Sequence, residues 1–281
     1  MKKLINARGR LLDLSTPVVM AILNITPDSF HAGSRSQDLE NSLIKVNEFI
    51  MEGATIIDIG AQSTRPGATL LTAEEEWERL KEILPMLTRQ FPGVIFSIDT
   101  FYSSVAEKAA DAGVAIINDV SGGRMDQQMF ATVARLKMPY VLMHMKGTPA
   151  TMQQHPAYED ATKEVFSFFQ DKKSRLIEAG VIDIILDPGF GFGKTTEHNF
   201  QLLHNLSIFS LLDCPILVGF SRKSMITKVI QTSSTDAVNG TTVLNTLALS
   251  RGASFLRVHD VKEAREAIAL YDYEIKSGNG A

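Results

Sequence analysis

Short apolar runs alternate with amphipathic helical patterns along almost the whole chain. Four runs begin at a proline, and they are 17–24, 92–99, 139–144 and 215–221. Four others begin at a glycine, and they are 53–58, 113–118, 180–187 and 252–257. The two kinds alternate in chain order. Proline is tolerated at the first residue of a strand, and glycine is favoured just past the end of a helix. We therefore predict eight strands, each preceded by a turn.

The segments between these runs carry helical periodicity. In the first segment, Leu39, Leu43, Val46 and Ile50 lie on one face. The second begins with a capping box at Thr72–Glu75 and continues with an apolar stripe at Trp77, Leu80, Ile83 and Leu87. Further helices are predicted near 126–136, 157–179, 196–206, 236–251 and 260–275.

This alternation predicts an α/β protein whose parallel strands are buried on both faces. An open doubly wound sheet and a closed barrel both satisfy that pattern. The count of eight, the length of 281 residues and the polar residues that end strands throughout the chain favour a (β/α)8 TIM barrel. We expect one domain over residues 1–281, with its core at about 17–275, a short N-terminal lead-in and a frayed C-terminal tail. The active site of such a barrel lies at the C-terminal ends of the strands.

Composition limits the partners and the compartment. The net charge of −4 gives no overall attraction for nucleic acid or an anionic membrane, so any phosphate site must be a local cluster of cations. No apolar stretch is long enough to span a membrane, and the N-terminus does not resemble a signal peptide. The single cysteine, Cys214, fits a reducing compartment. We expect a cytoplasmic protein that binds neither nucleic acid nor membrane.

The residues just past the strands divide into two groups. Asp99, Asn118 and Asp187 follow strands three, four and six. Carboxylates accept hydrogen bonds and an amide both donates and accepts, so this set suits a planar heterocycle with several N–H donors. Met145 and Phe192 could supply its apolar faces.

The second group is cationic and lies at strands seven and eight. Ser221–Ser224 stands at a predicted helix start, and Arg257 and His259 follow strand eight, which is the usual phosphate position in barrels. Thr64 and Arg65 follow strand two. Asn24 ends strand one and could be a neutral oxygen ligand to a magnesium ion shared with phosphate. We therefore expect an anionic ligand bearing phosphate at this side of the mouth.

In these motifs the chain resembles the dihydropteroate synthases. The matching segments are Asn24-Ile-Thr-Pro-Asp-Ser-Phe30, Ser63-Thr-Arg-Pro-Gly67, Ser97-Ile-Asp-Thr100, Ile117-Asn-Asp-Val-Ser121, Met143-His-Met145, Leu186-Asp-Pro-Gly-Phe-Gly-Phe-Gly-Lys194, Gly219-Phe-Ser-Arg-Lys223 and Arg257-Val-His259. The resemblance extends from about Pro17 to Tyr273. Eight matches in the same order are a specific signal, although any one of them alone would be weak.

The resemblance implies a transferase of folate biosynthesis that joins p-aminobenzoate to 6-hydroxymethyl-7,8-dihydropterin diphosphate, with magnesium, and releases diphosphate and 7,8-dihydropteroate. It implies a dissociative substitution, inhibition by sulfonamides and a homodimer. The pterin-binding residues would be Asp99, Asn118, Met145, Asp187, Gly219 and Lys223. The diphosphate-binding residues would be Asn24, Thr64, Arg65, Arg257 and His259, with Asn24 also holding the metal. The p-aminobenzoate pocket would contain Thr64, Pro66, Phe192 and Ser221, and the catalytic residues would be Asp99, Lys223, Arg257 and His259.

Two segments depart from the family pattern. Gln62 stands where these enzymes usually have glutamate, and residues 30–34 differ from the usual first loop. The alternatives are a pterin-binding methyltransferase that acts on methyltetrahydrofolate, and a pterin-binding barrel without catalytic activity. The methyltransferase should not need the segments 63–67, 219–223 and 257–259, and the phosphate and aminobenzoate motifs argue against the second alternative.

Overall fold

Eight parallel strands close into a barrel in the computed structural model of the chain, which describes residues 3–25, 35–62, 70–148, 152 and 156–278. A hairpin of β1 (Leu4–Ala7) and β2 (Arg10–Asp13) precedes it. The barrel strands are β3 (Val18–Asn24), β4 (Ile56–Gly60), β5 (Ile95–Asp99), β6 (Ile116–Asp119), β7 (Tyr140–Met143), β8 (Ile184–Asp187), β9 (Ile216–Val218) and β10 (Ala253–Val258). They pair in chain order, and β10 closes the barrel against β3. The predicted barrel is confirmed.

The helices lie in the connections between these strands and after the last one. They are α1 (Arg35–Met51), α2 (Ala73–Leu80), α3 (Ile83–Gln90), α4 (Ser103–Asp111), α5 (Met129–Leu136), α6 (Ala161–Glu178), α7 (Thr196–His204), α8 (Ser224–Ile230), α9 (Val238–Leu249) and α10 (Val261–Gly278). A short 3-10 helix, Leu206–Leu212, follows α7. No helix in the described ranges is long and apolar enough to cross a membrane.

The segment after Thr72 forms two helices where the apolar stripe predicts one. The capping box is present, since the Thr72 hydroxyl accepts from the Glu75 amide and the Glu75 carboxylate accepts from the Thr72 amide. The first helix ends before Lys81, and the second begins at Ile83. Pro85 explains the interruption, because its ring would clash with the Lys81 carbonyl in a continuous helix and it has no amide hydrogen to donate.

The N-terminal hairpin fills the end of the barrel opposite the strand C-termini. It turns at Arg8 and Gly9, both at positive φ, as a type I′ hairpin turn requires. Ile5 and Leu12 are buried in one apolar cluster with Phe255 of β10 and other inward-facing strand residues. The expectation of a plain lead-in was therefore incomplete. Apolar side chains therefore fill this end of the barrel, and the polar residues that end the strands lie at the other end.

Candidate active site at the mouth of the barrel

Three polar side chains from the neighbouring strands β4, β5 and β6 meet inside the mouth. Asp99 on β5 pairs in register with Asn118 on β6, so their side chains leave the barrel wall at one level. Asn118 Nδ2 donates to Asp58 Oδ2 on β4 at 2.9 Å. Asp58 is completely buried, and its Oδ1 has no hydrogen-bond partner among the described residues.

Sequence reasoning missed Asp58. It ends the glycine-led run 53–58 in the same way that Asn118 and Asp187 end theirs, so the signal was present. The sequence interpretation took residues 62–65 as the polar residues that follow the second strand.

Arg257 connects two of these carboxylates. Its Nε donates to Asp58 Oδ2 at 2.7 Å, and its Nη2 donates to Asp99 Oδ2 at 2.8 Å. The sequence predicted separate acidic and basic sides of the mouth, with Arg257 on the basic side. The structure differs, because the Arg257 side chain reaches across the strands to the acids. Buried carboxylates need a cation close by, and Arg257 is the guanidinium that reaches both.

The environment of Asp99 brings its titration close to neutral pH. Burial raises the pKa of Asp99 to about 7, although the Arg257 guanidinium acts to lower it. Asp58, Glu76 and Asp119 raise it further by like-charge repulsion. Asp99 is therefore a carboxyl group whose charge, and hence whose capacity to accept two N–H donors, depends on pH in the physiological range.

Asp187 and Lys223 form the other polar part of the floor. Burial raises the pKa of Asp187, and Lys223 is the main charge that lowers it. Burial lowers the pKa of Lys223 to about 8. The Lys223 ammonium donates to the Phe190 carbonyl at 2.6 Å and lies 4.7 Å from the centre of the Phe192 ring. A Cβ at Gly219 would lie 3.8 Å from Lys223 Nζ, which places Gly219 beneath this cation.

The turn after β8 is held from inside by a buried lysine. Lys194 Nζ donates to the carbonyls of His144, Gly189 and Phe192 at 3.1, 2.9 and 3.0 Å. Gly189 has positive φ, and a Cβ there would lie 1.9 Å from the His144 carbonyl oxygen, so only glycine fits. The motif at 186–194 is therefore a rigid turn that presents Phe192 to the mouth, and Lys194 is a supporting residue that the sequence interpretation did not single out.

Ser221 and His259 form a hydrogen-bonded pair on the side of β9 and β10. The Ser221 hydroxyl accepts from the His259 amide at 3.2 Å and lies 2.9 Å from His259 Nδ1. Burial lowers the pKa of His259 to about 4, with Arg257 next in effect, so the ring is neutral at pH 7. In the tautomer with its proton on Nε2, the ring accepts the Ser221 hydroxyl proton at Nδ1 and has Nε2–H as a donor for a ligand.

Arg222 does not join this cluster. It makes a two-point ion pair with Asp260, with Nε and Nη2 at 3.1 and 2.5 Å from the carboxylate oxygens. The sequence predicted that the whole segment 221–224 contributes cationic charge to the mouth. This is wrong for Arg222, whose charge is paired with Asp260. Lys223 remains in the floor of the site.

One wall of the mouth is apolar. Met145 is buried in a cluster with Phe101, Val120, Met143 and Met152. Four partly buried side chains pack against this cluster, namely Leu70, Tyr102, Met125 and Phe192. Met145 and Phe192 were predicted to supply apolar faces, and the structure places them in one cluster.

The remaining predicted residues are Asn24, Thr64, Arg65 and Pro66. Asn24 is exposed at the end of β3, in register with Gly60 of β4. Thr64, Arg65 and Pro66 lie outside the described residues, as do residues 26–34 of the first loop. Within the described ranges no group of three or more histidine, cysteine, aspartate or glutamate side chains could hold a metal ion. The side-chain amide of Asn24 offers a neutral oxygen, a ligand type that magnesium accepts.

Comparison with known proteins points to one family. A sequence profile of the pterin binding enzymes matches residues 20–259. Dihydropteroate synthase of Escherichia coli K12 is 40% identical over 268 residues, which cover 95% of this chain and 94% of the relative. The Yersinia pestis dihydropteroate synthase in complex with a sulfonamide drug superposes with a TM-score of 0.91 at 39% identity and covers 97% of this chain and 99% of its own. The Xanthomonas albilineans enzyme in complex with 7,8-dihydropteroate has a TM-score of 0.85 at 34% identity, covering 96% and 98%.

Proposed function

This chain belongs to the dihydropteroate synthase family of pterin-binding enzymes, and we propose that it condenses 6-hydroxymethyl-7,8-dihydropterin diphosphate with p-aminobenzoate to give 7,8-dihydropteroate and diphosphate. The observation that carries the proposal is the convergence of Asp99, Asn118, Asp187 and Lys223 at the mouth of the barrel, beside the donor pair of Ser221 and His259.

The acids and the amide suit the pterin ring. A 2-amino-4-oxo-pyrimidine edge carries several N–H donors and one carbonyl. Asp187 and Asp99 accept from N–H groups when ionised, while Asn118 and Lys223 donate to acceptors. Met145 and Phe192 cover the ring from the apolar wall. The buried setting strengthens these hydrogen bonds because the local dielectric is low.

Departure of diphosphate leaves positive charge on the exocyclic carbon of the pterin. The ionised carboxylate of Asp99 stabilises that cation electrostatically. Arg257 holds Asp99 in place and moderates its pKa, so that the carboxylate is available above about pH 7. The amine of p-aminobenzoate then attacks the carbon, and no covalent bond to the protein is needed.

The leaving group is held on the opposite side. His259 offers Nε2–H to a phosphate oxygen. Arg257 uses Nε and Nη2 for the acids, which leaves Nη1 as its donor to the diphosphate. Thr64, Arg65 and Asn24 complete this set, and Asn24 would hold magnesium together with the phosphate oxygens. Magnesium, when bound, supplies positive charge that stabilises the departing diphosphate.

The p-aminobenzoate pocket consists of Thr64, Pro66, Phe192 and Ser221. The Lys223 ammonium stacked on Phe192 gives this pocket a cationic neighbour for a carboxylate. Sulfonamides, which mimic p-aminobenzoate, would compete here.

One assay tests the proposed function. The protein is mixed with the pterin diphosphate, labelled p-aminobenzoate and magnesium, and dihydropteroate is measured. A methyltransferase would instead act on methyltetrahydrofolate, and a non-catalytic barrel would bind pterin without turnover. Absence of dihydropteroate under every condition would remove the proposal. The single-domain organisation and the cytoplasmic location stay predictions.

Helices α9 and α10 support the homodimer. They expose the large apolar side chains Val243, Leu247, Leu270, Tyr273 and Ile275, and Leu270 and Tyr273 are each about three-quarters exposed. Exposed apolar patches of this kind mark interaction sites. We expect sedimentation to give twice the chain mass of 30.9 kDa. Leu270→Glu should shift it to the monomer mass. The control is Leu11→Glu on the N-terminal hairpin, where Leu11 is also exposed, and this variant should keep the dimer mass.

A further inference from the structure

The Gln62 side chain forms hydrogen bonds with both backbone groups of Leu71, nine positions further along the chain. Its Oε1 accepts from the Leu71 amide at 3.1 Å, and its Nε2 donates to the Leu71 carbonyl at 3.0 Å. The Tyr102 hydroxyl donates to the same carbonyl at 2.7 Å. A primary amide presents one acceptor and one donor side by side, so it can satisfy both backbone groups of a single residue. We name these three bonds the Leu71 clamp.

The clamp determines where Leu70 lies. Leu70 packs against the apolar cluster that contains Phe101, Met143 and Met145, and Phe192 packs against the same cluster. Because Leu70 and Leu71 are consecutive, fixing both backbone groups of Leu71 also fixes the direction in which the Leu70 side chain leaves the chain. The clamp therefore positions Leu70 against the same apolar cluster that Phe192 contacts.

We propose that Gln62 is a positioning residue for aminobenzoate binding, acting through Leu71 to complete the apolar wall of the mouth. This rests on the proposed function, because Phe192 belongs to the proposed p-aminobenzoate pocket. Gln62 touches neither substrate nor reacting atoms. Its effect is therefore mainly on the affinity for p-aminobenzoate. Among the described residues the clamp forms no hydrogen bond with the acids and cations proposed for the pterin edge and the diphosphate, although Met145 lies in the same apolar cluster.

The chemistry of the clamp requires an amide or an acid that carries its proton. An ionised carboxylate at position 62 can accept from the Leu71 amide, but it faces the Leu71 carbonyl without a hydrogen to donate. A protonated carboxyl can make both bonds again. In the variant Gln62→Glu, the number of bonds in the Leu71 clamp therefore depends on pH. The side chain has the same shape whether the carboxyl is ionised or protonated.

Several charged or titratable groups surround position 62. Glu76 and Arg79 lie on α2, with Arg79 Nη1 donating to the Ala61 carbonyl, and Asp99 and Tyr102 lie at the end of β5 and just beyond it. Burial and the carboxyl of Glu76 both disfavour a second negative charge here, whereas Arg79 favours it. The net result should be a raised pKa for the new carboxyl, which places its titration inside an accessible pH range.

The test compares wild type, Gln62→Glu and Gln62→Met from about pH 5 to about pH 8.5, with each variant expressed relative to wild type at the same pH. At the alkaline end we expect Gln62→Glu to lose about tenfold in kcat/KM for p-aminobenzoate, the effect of losing one or two hydrogen bonds. The loss should appear as a higher KM for p-aminobenzoate that clearly exceeds any change in the KM for the pterin diphosphate. The ratio should recover toward one at the acid end. Gln62→Met, which cannot make either bond at any pH, should show a constant loss.

Amide hydrogen exchange of Leu71 supplies a readout that needs no catalysis. Exchange should be faster in Gln62→Met at every pH, after correction for the intrinsic rate, and close to wild type in Gln62→Glu, whose carboxyl can accept from the Leu71 amide in both protonation states. A pH-independent loss in Gln62→Glu, or a loss confined to kcat, would overturn the proposal. If wild type makes no dihydropteroate, the proposed function fails, while the exchange of Leu71 still decides whether the clamp exists.

Discussion

Glu76 is a buried carboxyl group on α2 that should weaken the fold above neutral pH. It is completely buried, and neither carboxyl oxygen has a hydrogen-bond partner among the described residues. Burial raises its pKa to about 7, and Thr100, Gln62 and Arg79 lower it by less. Thr100 and Gln62 lie near enough to have this effect, although neither meets hydrogen-bond geometry with the carboxyl. The substitution Glu76→Gln replaces the ionisable carboxyl with a neutral amide of the same shape.

The magnitude follows from the difference between the folded and unfolded pKa. In the unfolded chain Glu76 titrates at its ordinary value of 4.5, and in the folded protein at about 7. Between these values the folded state holds more protons than the unfolded state, so the free energy of unfolding falls as pH rises. The fall is complete above about pH 7 and absent below the unfolded pKa. A difference of about 2.5 units corresponds to roughly 3 kcal/mol.

The assay is urea unfolding of wild type and Glu76→Gln near pH 4.5 and near pH 8. We expect the two to be close in stability at the lower pH, and Glu76→Gln to be more stable by about 3 kcal/mol at the higher pH. Glu74→Gln is the matched control, because Glu74 lies on the same helix turn and is exposed. Its stability should change by only about 0.5 kcal/mol at both pH values. An equal difference between wild type and Glu76→Gln at the two pH values would refute the reasoning.

Three further changes test the site. Asp99→Asn should lower kcat/KM by about a hundredfold or more, with little effect on folding, because the charge that stabilises the pterin cation is lost. In wild type, kcat/KM should fall below about pH 7 as Asp99 gains a proton, and this limb should be missing in the variant; a variant with wild-type turnover would remove Asp99 from its role. Arg257→Ala should weaken diphosphate binding and also cost about 3–5 kcal/mol of stability, since it leaves Asp58 and Asp99 without their cation. Arg257→Lys is the control that keeps the charge, and an Arg257→Ala protein of unchanged stability would contradict the pairing. Lys194→Met should cost about 3 kcal/mol by leaving buried carbonyls without a donor, and an unchanged urea midpoint would show that the turn stands without it.

The fold could be predicted from the sequence because the patterns that indicate its strands and helices are local. Strand runs, helix stripes and the capping box at Thr72 each depend on residues a few positions apart, and all eight predicted strands are present. The exceptions are also local in origin but easily overlooked. Pro85 divides one predicted helix into two, and the turn at Arg8 and Gly9 forms a hairpin from strands of only four residues.

The site was predictable as a set of residues and less so as an arrangement. Asp99, Asn118, Asp187 and Lys223 were found because polar residues at the ends of parallel strands must meet at one mouth. Asp58 follows the same rule but was not predicted, because the polar residues 62–65 further along the chain also fit the end of the second strand. The roles of Gln62 and Lys194 depend on backbone groups of other segments, and no side-chain pattern reports such contacts.

By itself the sequence determined which elements form and which polar groups end each strand, because helix and strand preferences act over short stretches of chain. Only the tertiary structure decided which of those groups pair. Arg257 and Asp58 are 199 positions apart, and they meet because the last strand closes the barrel against the first. That closure places a guanidinium among buried carboxylates, where desolvation must be offset by a cation. The same burial brings Asp99, Glu76 and Lys223 to titrate near neutral pH, and burial is a property of the closed barrel rather than of any single strand.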